Sequence, residues 1–264
     1  MIEGWWVFPL LGVVAGVLAG LLGIGGGLVL IGALVWLLPV YGIPAEAAMH
    51  AALASSLASI VLTASSSARA HHRRGSVLWP TVAWMVPGLM LGGWLGSLLA
   101  VELQGQVLRW CVALYCFLVA AQMMFGGRRG GAAHDGTVPT GWPMVAAGGG
   151  IGAVSAVVGI GGGSMTVPLL VWRGVVPVRA VGTSSACGIF IGLASATGYA
   201  LHAPAGVLPA HAVGYVYLPA AIGIAVASVL AAPLGTRLAH AISGAALKRV
   251  FAGFMVLVGI SVLL

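Results

Sequence analysis

Two glycine-rich stretches contain residues whose backbone could bind a ligand. The segments "GLLGIGGGLVLIG" (20–32) and "AVVGIGGGSMTVP" (156–168) share the core Gly-Ile-Gly-Gly-Gly. Glycine inside a helix costs about 1 kcal/mol relative to alanine, but it permits turns with positive φ and close approach of another group. We predict that each stretch breaks a helix and exposes the N–H groups of the next half-helix, which favour an anion. The predicted binding positions are Gly25, Gly26, Gly27, Gly161, Gly162, Gly163 and Ser164.

Glycines also allow close packing between membrane helices. This alternative stays open for the two triplets, and we favour it for the pairs Gly16/Gly20 and Gly92/Gly96. A nucleotide-binding P-loop is excluded, because "GIGGGSM" lacks the Lys-Ser or Lys-Thr ending of that motif.

Polar side chains inside apolar segments form a second group of candidates. His50 is an ionisable residue within a predicted span, which makes it a functional candidate. As an imidazolium it could pair with an anion and titrate near neutral pH. The alternative is a neutral histidine bonded to a neighbouring carbonyl. Hydroxyl groups can donate to oxyanions without carrying a charge, and the candidates of this kind are Ser55, Thr183, Ser184 and Ser185.

Carboxylates are scarce, and their scarcity limits which ions and which catalytic reactions the protein can use. The acidic residues are Glu3, Glu46, Glu102 and Asp135, and all fall at predicted helix ends or in loops. Transporters driven by Na⁺ or H⁺ usually keep a carboxylate within a span. A serine nucleophile paired with His50 would lack an acid to orient the imidazole. We therefore expect no enzyme activity, no metal site and no cofactor.

The composition identifies the environment of these residues. The chain is 61% hydrophobic and 6% charged, whereas soluble domains carry about 25% charged residues. Apolar runs long enough to cross a bilayer recur throughout. The net charge of +7 comes from short basic clusters between these runs, which act as orientation signals. The expected partners are the lipid bilayer and a small anion, without nucleic acid, and a homodimer stays open.

The chain consists of two related halves, residues 1–125 and 141–264, joined by a cytoplasmic linker at 126–140. The alignment pairs His50 with Thr183 and Pro87 with Pro219. Internal duplication is frequent in secondary transporters. Each half contains a glycine-broken segment followed by three predicted helices, at 45–68, 77–100 and 105–125 and at 178–201, 210–234 and 244–264.

The distribution of Lys and Arg predicts the topology. If each broken segment enters the membrane and returns to the same side, every Lys and Arg except Arg109 falls on one side. The positive-inside rule then places both termini outside and the linker inside. The predicted fold is an all-α polytopic membrane protein made of two inverted repeats. Each repeat is a glycine-broken re-entrant helical hairpin followed by three transmembrane helices.

These motifs resemble the sulfite exporter TauE/SafE family of membrane permeases. The resemblance rests on "GLLGIGGGLVLIGAL", "VVGIGGGSMTVPLLV" and "VPVRAVGTSSA" and spans essentially the whole chain. It implies a secondary transporter in the inner membrane that exports small sulfur-containing anions such as sulfite, sulfonates or sulfoacetate. Alternating access around a midplane anion site is the expected mechanism. An anion channel and a non-transporting membrane scaffold remain alternatives. The halves differ where "MHAA" (49–52) matches "GTSS" (182–185), so the predicted ligand shell is asymmetric.

Overall fold

The structure is a computed structural model that describes residues 4–22, 26–125, 138–204, 208–209, 211–241 and 244–264. Ten α-helices lie within these ranges. In chain order they are α1 (Val7–Leu22), α2 (Gly27–Leu37), α3 (Ala45–His72), α4 (Trp79–Glu102), α5 (Gly105–Phe125), α6 (Trp142–Val158), α7 (Gly163–Trp172), α8 (Pro177–Leu201), α9 (Leu218–Ala241) and α10 (Gly244–Leu263). A 3-10 turn covers Leu38–Tyr41, and the strands β1 (Ala212–Val213) and β2 (Val216–Tyr217) form a hairpin.

The helices fall into two length classes. Five are long and apolar enough to cross a membrane, namely α3, α4, α8 and the segments Gly105–Met124 of α5 and Leu218–Gly235 of α9. By contrast α1, α2, α6 and α7 have 16, 11, 17 and 10 residues, whereas a span needs about 20. The predicted all-α polytopic membrane fold is confirmed, with a small β-hairpin added.

The predicted helix breaks are present at both glycine triplets. Gly26 has φ +66° directly before α2, and Gly162 has φ +73° directly before α7. Gly159 ends α6 with φ +71°. A left-handed backbone is strained for residues that carry a Cβ, so glycine is the residue type that permits these turns. We call α1–α2 and α6–α7 the two broken segments, and residues 26–27 and 159–163 their tips.

Each broken segment returns to the end of the molecule where it starts. The Tyr41 hydroxyl, just after α2, donates a 2.7 Å hydrogen bond to the Gly4 carbonyl, just before α1. In the second segment, Leu170 near the end of α7 shares a small buried cluster with Leu78, which precedes α4. The start of α6 also lies near the start of α4, as described next.

The first helix of each half packs along a long helix of the other half. A Cβ on Gly12 of α1 would lie 2.5 Å from the Ile224 carbonyl, and one on Gly16 would lie 2.5 Å from the Ser228 carbonyl, so α1 and α9 run parallel. In the same way Gly88 of α4 packs against Val145 of α6, and a Cβ on Gly96 of α4 would lie 2.5 Å from the Ala153 carbonyl of α6, so α4 and α6 also run parallel. The packing role predicted for glycines at 16 and 96 is therefore confirmed.

The central helices α3 and α8, which correspond in the two halves, run antiparallel. Ser67 near the end of α3 bonds Ser185 near the start of α8. Gly192, further along α8, faces the Leu57 carbonyl earlier in α3, where an added Cβ would lie 2.9 Å away. Buried residues dominate both helices, so this pair forms the centre of the bundle.

The two ends of the bundle differ in charge and structure. We call the end where α3 finishes and α8 begins the basic end, because it carries Arg69, Arg73, Arg74, Arg173 and Arg179. The opposite end holds the β1–β2 hairpin, and we call it the β-hairpin end. Arg109 lies there, with its guanidinium donating to the Val262 carbonyl at 3.1 Å.

The structure corrects one predicted helix boundary. The helix predicted from residue 210 begins at Leu218, and the β-hairpin precedes it with Ala212 paired to Tyr217. Gly214 forms the turn with φ +57°. In the structure Pro80 and Pro219 each occupy the second position of a 24-residue helix, α4 and α9, whereas the sequence alignment pairs Pro87 with Pro219. Most of the predicted linker, residues 126–137, lies outside the described residues.

Candidate functional site

The two tips meet at one hydroxyl in the middle of α3. The Ser56 hydroxyl lies 3.3 Å from the Gly27 carbonyl and 3.0 Å from the Gly159 carbonyl, so its single proton is shared between the tips. Ser56 is fully buried near the centre of a helix of 28 residues. The tips therefore lie near the middle of α3.

Glycine is required at this junction because backbone approaches backbone. A Cβ on Gly27 would lie 2.6 Å from the Gly159 carbonyl oxygen, well inside van der Waals contact. On the other side of the second tip, a Cβ on Gly188 of α8 would lie 3.1 Å from the Gly161 carbonyl. Any side chain at Gly27 would force the tips apart.

Two half-helices begin at the tips. The helices α2 and α7 start at Gly27 and Gly163, and neither has a side-chain cap among the described residues. In α2 the first backbone bond is the 3.3 Å bond from the Leu30 N–H to the Gly26 carbonyl. In α7 the N–H groups of Met165 and Thr166 both donate to the Gly162 carbonyl, at 3.1 and 2.8 Å. The N–H groups ahead of these bonds have no intrahelical acceptor. Two positive helix ends therefore lie in the interior of the protein.

A small cavity adjoins the second tip on the side of the basic end. It has room for about one water molecule. Its walls come from α1, α3, α8 and the second tip, and are formed by Ala19, Ile60, Thr63, Ala64, Ser67, Gly161, Ser184, Ser185 and Gly188. These lining residues include four hydroxyls and no charged side chain, so the cavity is neutral, with a few hydroxyl groups in a mainly apolar wall.

One of the four hydroxyls is free to bind a ligand. Ser67 and Ser185 bond each other at 3.0 Å, and Ser185 also donates to the Val181 carbonyl. Thr63 bonds the Ser228 hydroxyl at 2.5 Å. The Ser184 side chain is 1% exposed, and its hydroxyl has no partner among the described residues. Buried polar groups nearly always have a hydrogen-bond partner, so this hydroxyl indicates a place for a bound polar group.

Comparisons with known proteins identify the family of this chain. The family described as "Sulfite exporter TauE/SafE" matches residues 8–262. The chain is also 34% identical over 258 residues to a "Probable membrane transporter protein" of Haemophilus influenzae, covering 97% of this chain and 96% of that protein. The chain belongs to the TauE/SafE sulfite exporter family. No solved structure matches this chain.

In this TauE/SafE protein, the structure brings several predicted site residues together. Gly26, Gly27, Gly161, Gly162 and Gly163 form the two tips, while Gly25 lies outside the described residues. The cavity walls include Ser184 and Ser185 together with Gly161. Ser164 follows at the start of α7, where its hydroxyl bonds the Tyr115 hydroxyl of α5.

His50 lies away from the tips. Its Nε2–H donates to the carbonyls of Ala100, in the last turn of α4, and Leu103, just after that helix, at 3.2 and 3.0 Å. The imidazole also stacks on Tyr215 of the β-hairpin, with ring centroids 4.9 Å apart. His50 precedes Ser56 by about 9 Å along α3. These contacts match the alternative of a histidine bonded to neighbouring carbonyls.

Ser55 and Thr183 also face away from the cavity. The Ser55 hydroxyl accepts the Tyr217 N–H at 3.0 Å, and the Thr183 hydroxyl accepts the Leu78 N–H at 3.0 Å. Each therefore binds the residue that precedes a long helix of the other half.

The predicted binding set did not include three hydroxyl residues of α3 that the structure places at the candidate site. Ser56, Thr63 and Ser67 are spaced by seven and four residues, which places them on one face of the helix. All three are buried, and they contact the tips, α9 and α8. The spacing of these hydroxyls along one helix face is the sequence pattern that could have identified them. No sequence pattern could have identified Tyr115, because its partner Ser164 lies in the other half of the chain.

Proposed function

We propose that this protein is a secondary transporter of small sulfur oxyanions, such as sulfite or a sulfonate, and that the anion binds between the tips and Ser184. The observation that carries the proposal is the buried Ser184 hydroxyl, which has no partner among the described residues and shares a cavity wall with Gly161 of the second tip, just before the half-helix α7 begins. The family description names sulfite. Export is the expected direction.

The chemistry of the site fits an oxyanion better than a cation. Sulfite and sulfonates spread negative charge over three oxygens, and backbone N–H and hydroxyl groups can donate to each of them. The cavity lining contains no carboxylate that would attract a cation or repel an anion. Because no side-chain cation lines it either, the anion is held by dipoles alone, which favours release.

Binding requires a movement of the tips. The cavity has room for about one water molecule, and sulfite has four heavy atoms. The contacts of Ser56 with both tips must therefore loosen as an anion enters. This requirement favours a carrier that changes conformation over an open anion channel.

We further propose that the two halves are inverted repeats that work by alternating access. The antiparallel course of the corresponding helices α3 and α8 supports this. The return of each broken segment to its starting end supports re-entry. The positive-inside rule favours a cytoplasmic basic end in the inner membrane, which would place residues Gly4 and Val262 at the outer side.

Flux measurements with purified protein in liposomes test the function. We expect saturable uptake of radiolabelled sulfite or sulfoacetate, with counterflow driven by the same unlabelled anion on the other side. Sulfate and taurine serve as comparison substrates, and empty liposomes as the control. Saturable transport of Na⁺ or amines with no oxyanion flux would refute the proposal, and flux without saturation or counterflow would indicate a channel.

A further inference from the structure

Two equivalent hydrogen bonds tie the halves together at opposite ends. Leu78 and Tyr217 are the residues directly before α4 and α9, which are both 24 residues long. Their backbone N–H groups donate to Thr183 of α8 and Ser55 of α3, both at 3.0 Å. In each case the start of a long helix is held by a hydroxyl on the central helix of the other half.

The two bonds lie on opposite sides of the candidate site. Because α3 and α8 run antiparallel, Thr183 lies toward the basic end and Ser55 toward the β-hairpin end. Next along the chain from Thr183 is Ser184, whose hydroxyl is the unpartnered one in the cavity wall. Next from Ser55 is Ser56, whose hydroxyl contacts both tips. Each bond is thus one residue away from a site hydroxyl.

Buried side chains close the protein around the Ser55 bond. Tyr215 and Tyr217 of the β-hairpin are 6% and 3% exposed. Tyr215 stacks on His50, and its N–H donates to the Tyr199 carbonyl at 3.3 Å. The β-hairpin therefore fills the space between α3 and α8 at this end.

The Thr183 bond is enclosed in a comparable way. Leu78 is 2% exposed and shares a buried cluster with Leu170, Val175 and Ala180. The neighbouring Gly182 packs against the Ser76 carbonyl, where an added Cβ would lie 2.6 Å away. The chain between α3 and α4 thus covers the start of α8.

We propose that Ser55 and Thr183 are the paired gate residues of this transporter. Release of the Ser55–Tyr217 bond opens the β-hairpin end, release of the Thr183–Leu78 bond opens the basic end, and the two releases alternate. The inference rests on the proposed transport by alternating access. The physical cause is the cost of an unpaired backbone N–H in a dry interior. A freed N–H is satisfied only when water enters, so each bond breaks together with hydration of its own end.

Cysteine labelling in lipid nanodiscs tests the gates without any substrate. Ala52→Cys and Ala180→Cys each place a reporter three residues before a gate residue, at positions that are fully buried. Cys111, Cys116 and Cys187 are first replaced by serine or alanine. Because both ends of the protein are accessible in a nanodisc, a water-soluble maleimide reports the opening of either gate.

Each gate variant should act on its own reporter. Loss of one hydrogen bond shifts an opening equilibrium about fivefold, so Ser55→Ala should speed labelling of Ala52→Cys by about that factor and leave Ala180→Cys unchanged or slower. Thr183→Val should do the reverse, and Thr183→Ser should restore the wild-type rates. Ser195→Ala is the matched control, because Ser195 is a buried serine of α8 that donates to the Gly93 carbonyl. Equal effects of both gate variants on both reporters, or no effect, would overturn the proposal.

A second measurement keeps the gate residues intact. In a protein carrying both reporters, labelling at one end should hold that gate open and slow labelling at the other end. Independent labelling of the two reporters would refute alternation even if a gate variant failed to fold. Failure of the sulfite proposal would appear in the flux assay instead, with the labelling pattern unchanged.

Discussion

Gly27 and Gly159 face each other at the tips of the two broken segments. A Cβ on Gly27 would lie 2.6 Å from the Gly159 carbonyl oxygen, and Ser56 bonds both carbonyls. Segments from the two halves of the chain thus meet through bare backbone in the interior of a membrane protein. Non-helical backbone at that depth is tolerated where it is buried in protein or lines a cavity, and here it does both.

Gly27→Ala should separate the tips. Overpacking of this kind costs about 1–3 kcal/mol, so we expect anion flux to fall about tenfold or more while membrane insertion persists. Flux in liposomes and elution volume in detergent measure the two effects. Gly150→Ala is the control, because a Cβ at Gly150 of α6 meets nothing within 4 Å. Wild-type flux in Gly27→Ala would mean that the tip contact has no role in transport.

Ser184→Ala should weaken anion binding and leave the fold intact. A hydrogen bond to a charged group contributes about 1.5–3 kcal/mol, so the apparent affinity should fall at least about tenfold. The thermal midpoint should stay the same or rise, since the hydroxyl has no partner among the described residues to lose. Ser195→Ala again serves as control, and it should lower stability through its bond to Gly93 without a change in affinity. Equal affinity of Ser184→Ala and wild type would remove Ser184 from the site.

His50→Ala should affect stability more than binding. The mutation removes the imidazole donor from the carbonyls of Ala100 and Leu103, of which Ala100 still accepts the Leu103 N–H, and it removes the stacking on Tyr215. We expect a loss of about 1–3 kcal/mol of unfolding free energy, seen as a lower thermal midpoint, with anion affinity unchanged between pH 5 and pH 8. A loss of affinity confined to acidic pH would instead identify the imidazolium as the counter-charge of the anion.

Surface labelling should report the proposed orientation. Val40 is 80% exposed near the β-hairpin end, and Arg74 is exposed at the basic end. In intact cells, Val40→Cys should react with an impermeant maleimide, and Arg74→Cys should react only after lysis. Reaction of both before lysis would contradict the proposed topology, and the reverse pattern would place the basic end outside.

The sequence by itself determined the class of protein and the places where its helices break. Composition alone requires a membrane environment, because a chain with 6% charged residues cannot cover a water-facing surface. The glycine triplets mark the tips, since positive φ is a local property of the residue type and needs no knowledge of its neighbours. Close packing at Gly16 and Gly96 could be predicted from the absence of a side chain, but not that their partner helices belong to the other half.

The roles of the hydroxyls were decided only by the tertiary structure. Ser55, Thr183 and Ser184 offer the same chemical group in similar apolar surroundings. What separates them is the partner, and the partners of Ser55 and Thr183 lie 162 and 105 residues away along the chain. The β-hairpin and the cavity likewise depend on packing between the two halves. A hydroxyl binds whatever the fold brings within 3.5 Å, so its role follows from long-range contacts that local sequence does not encode.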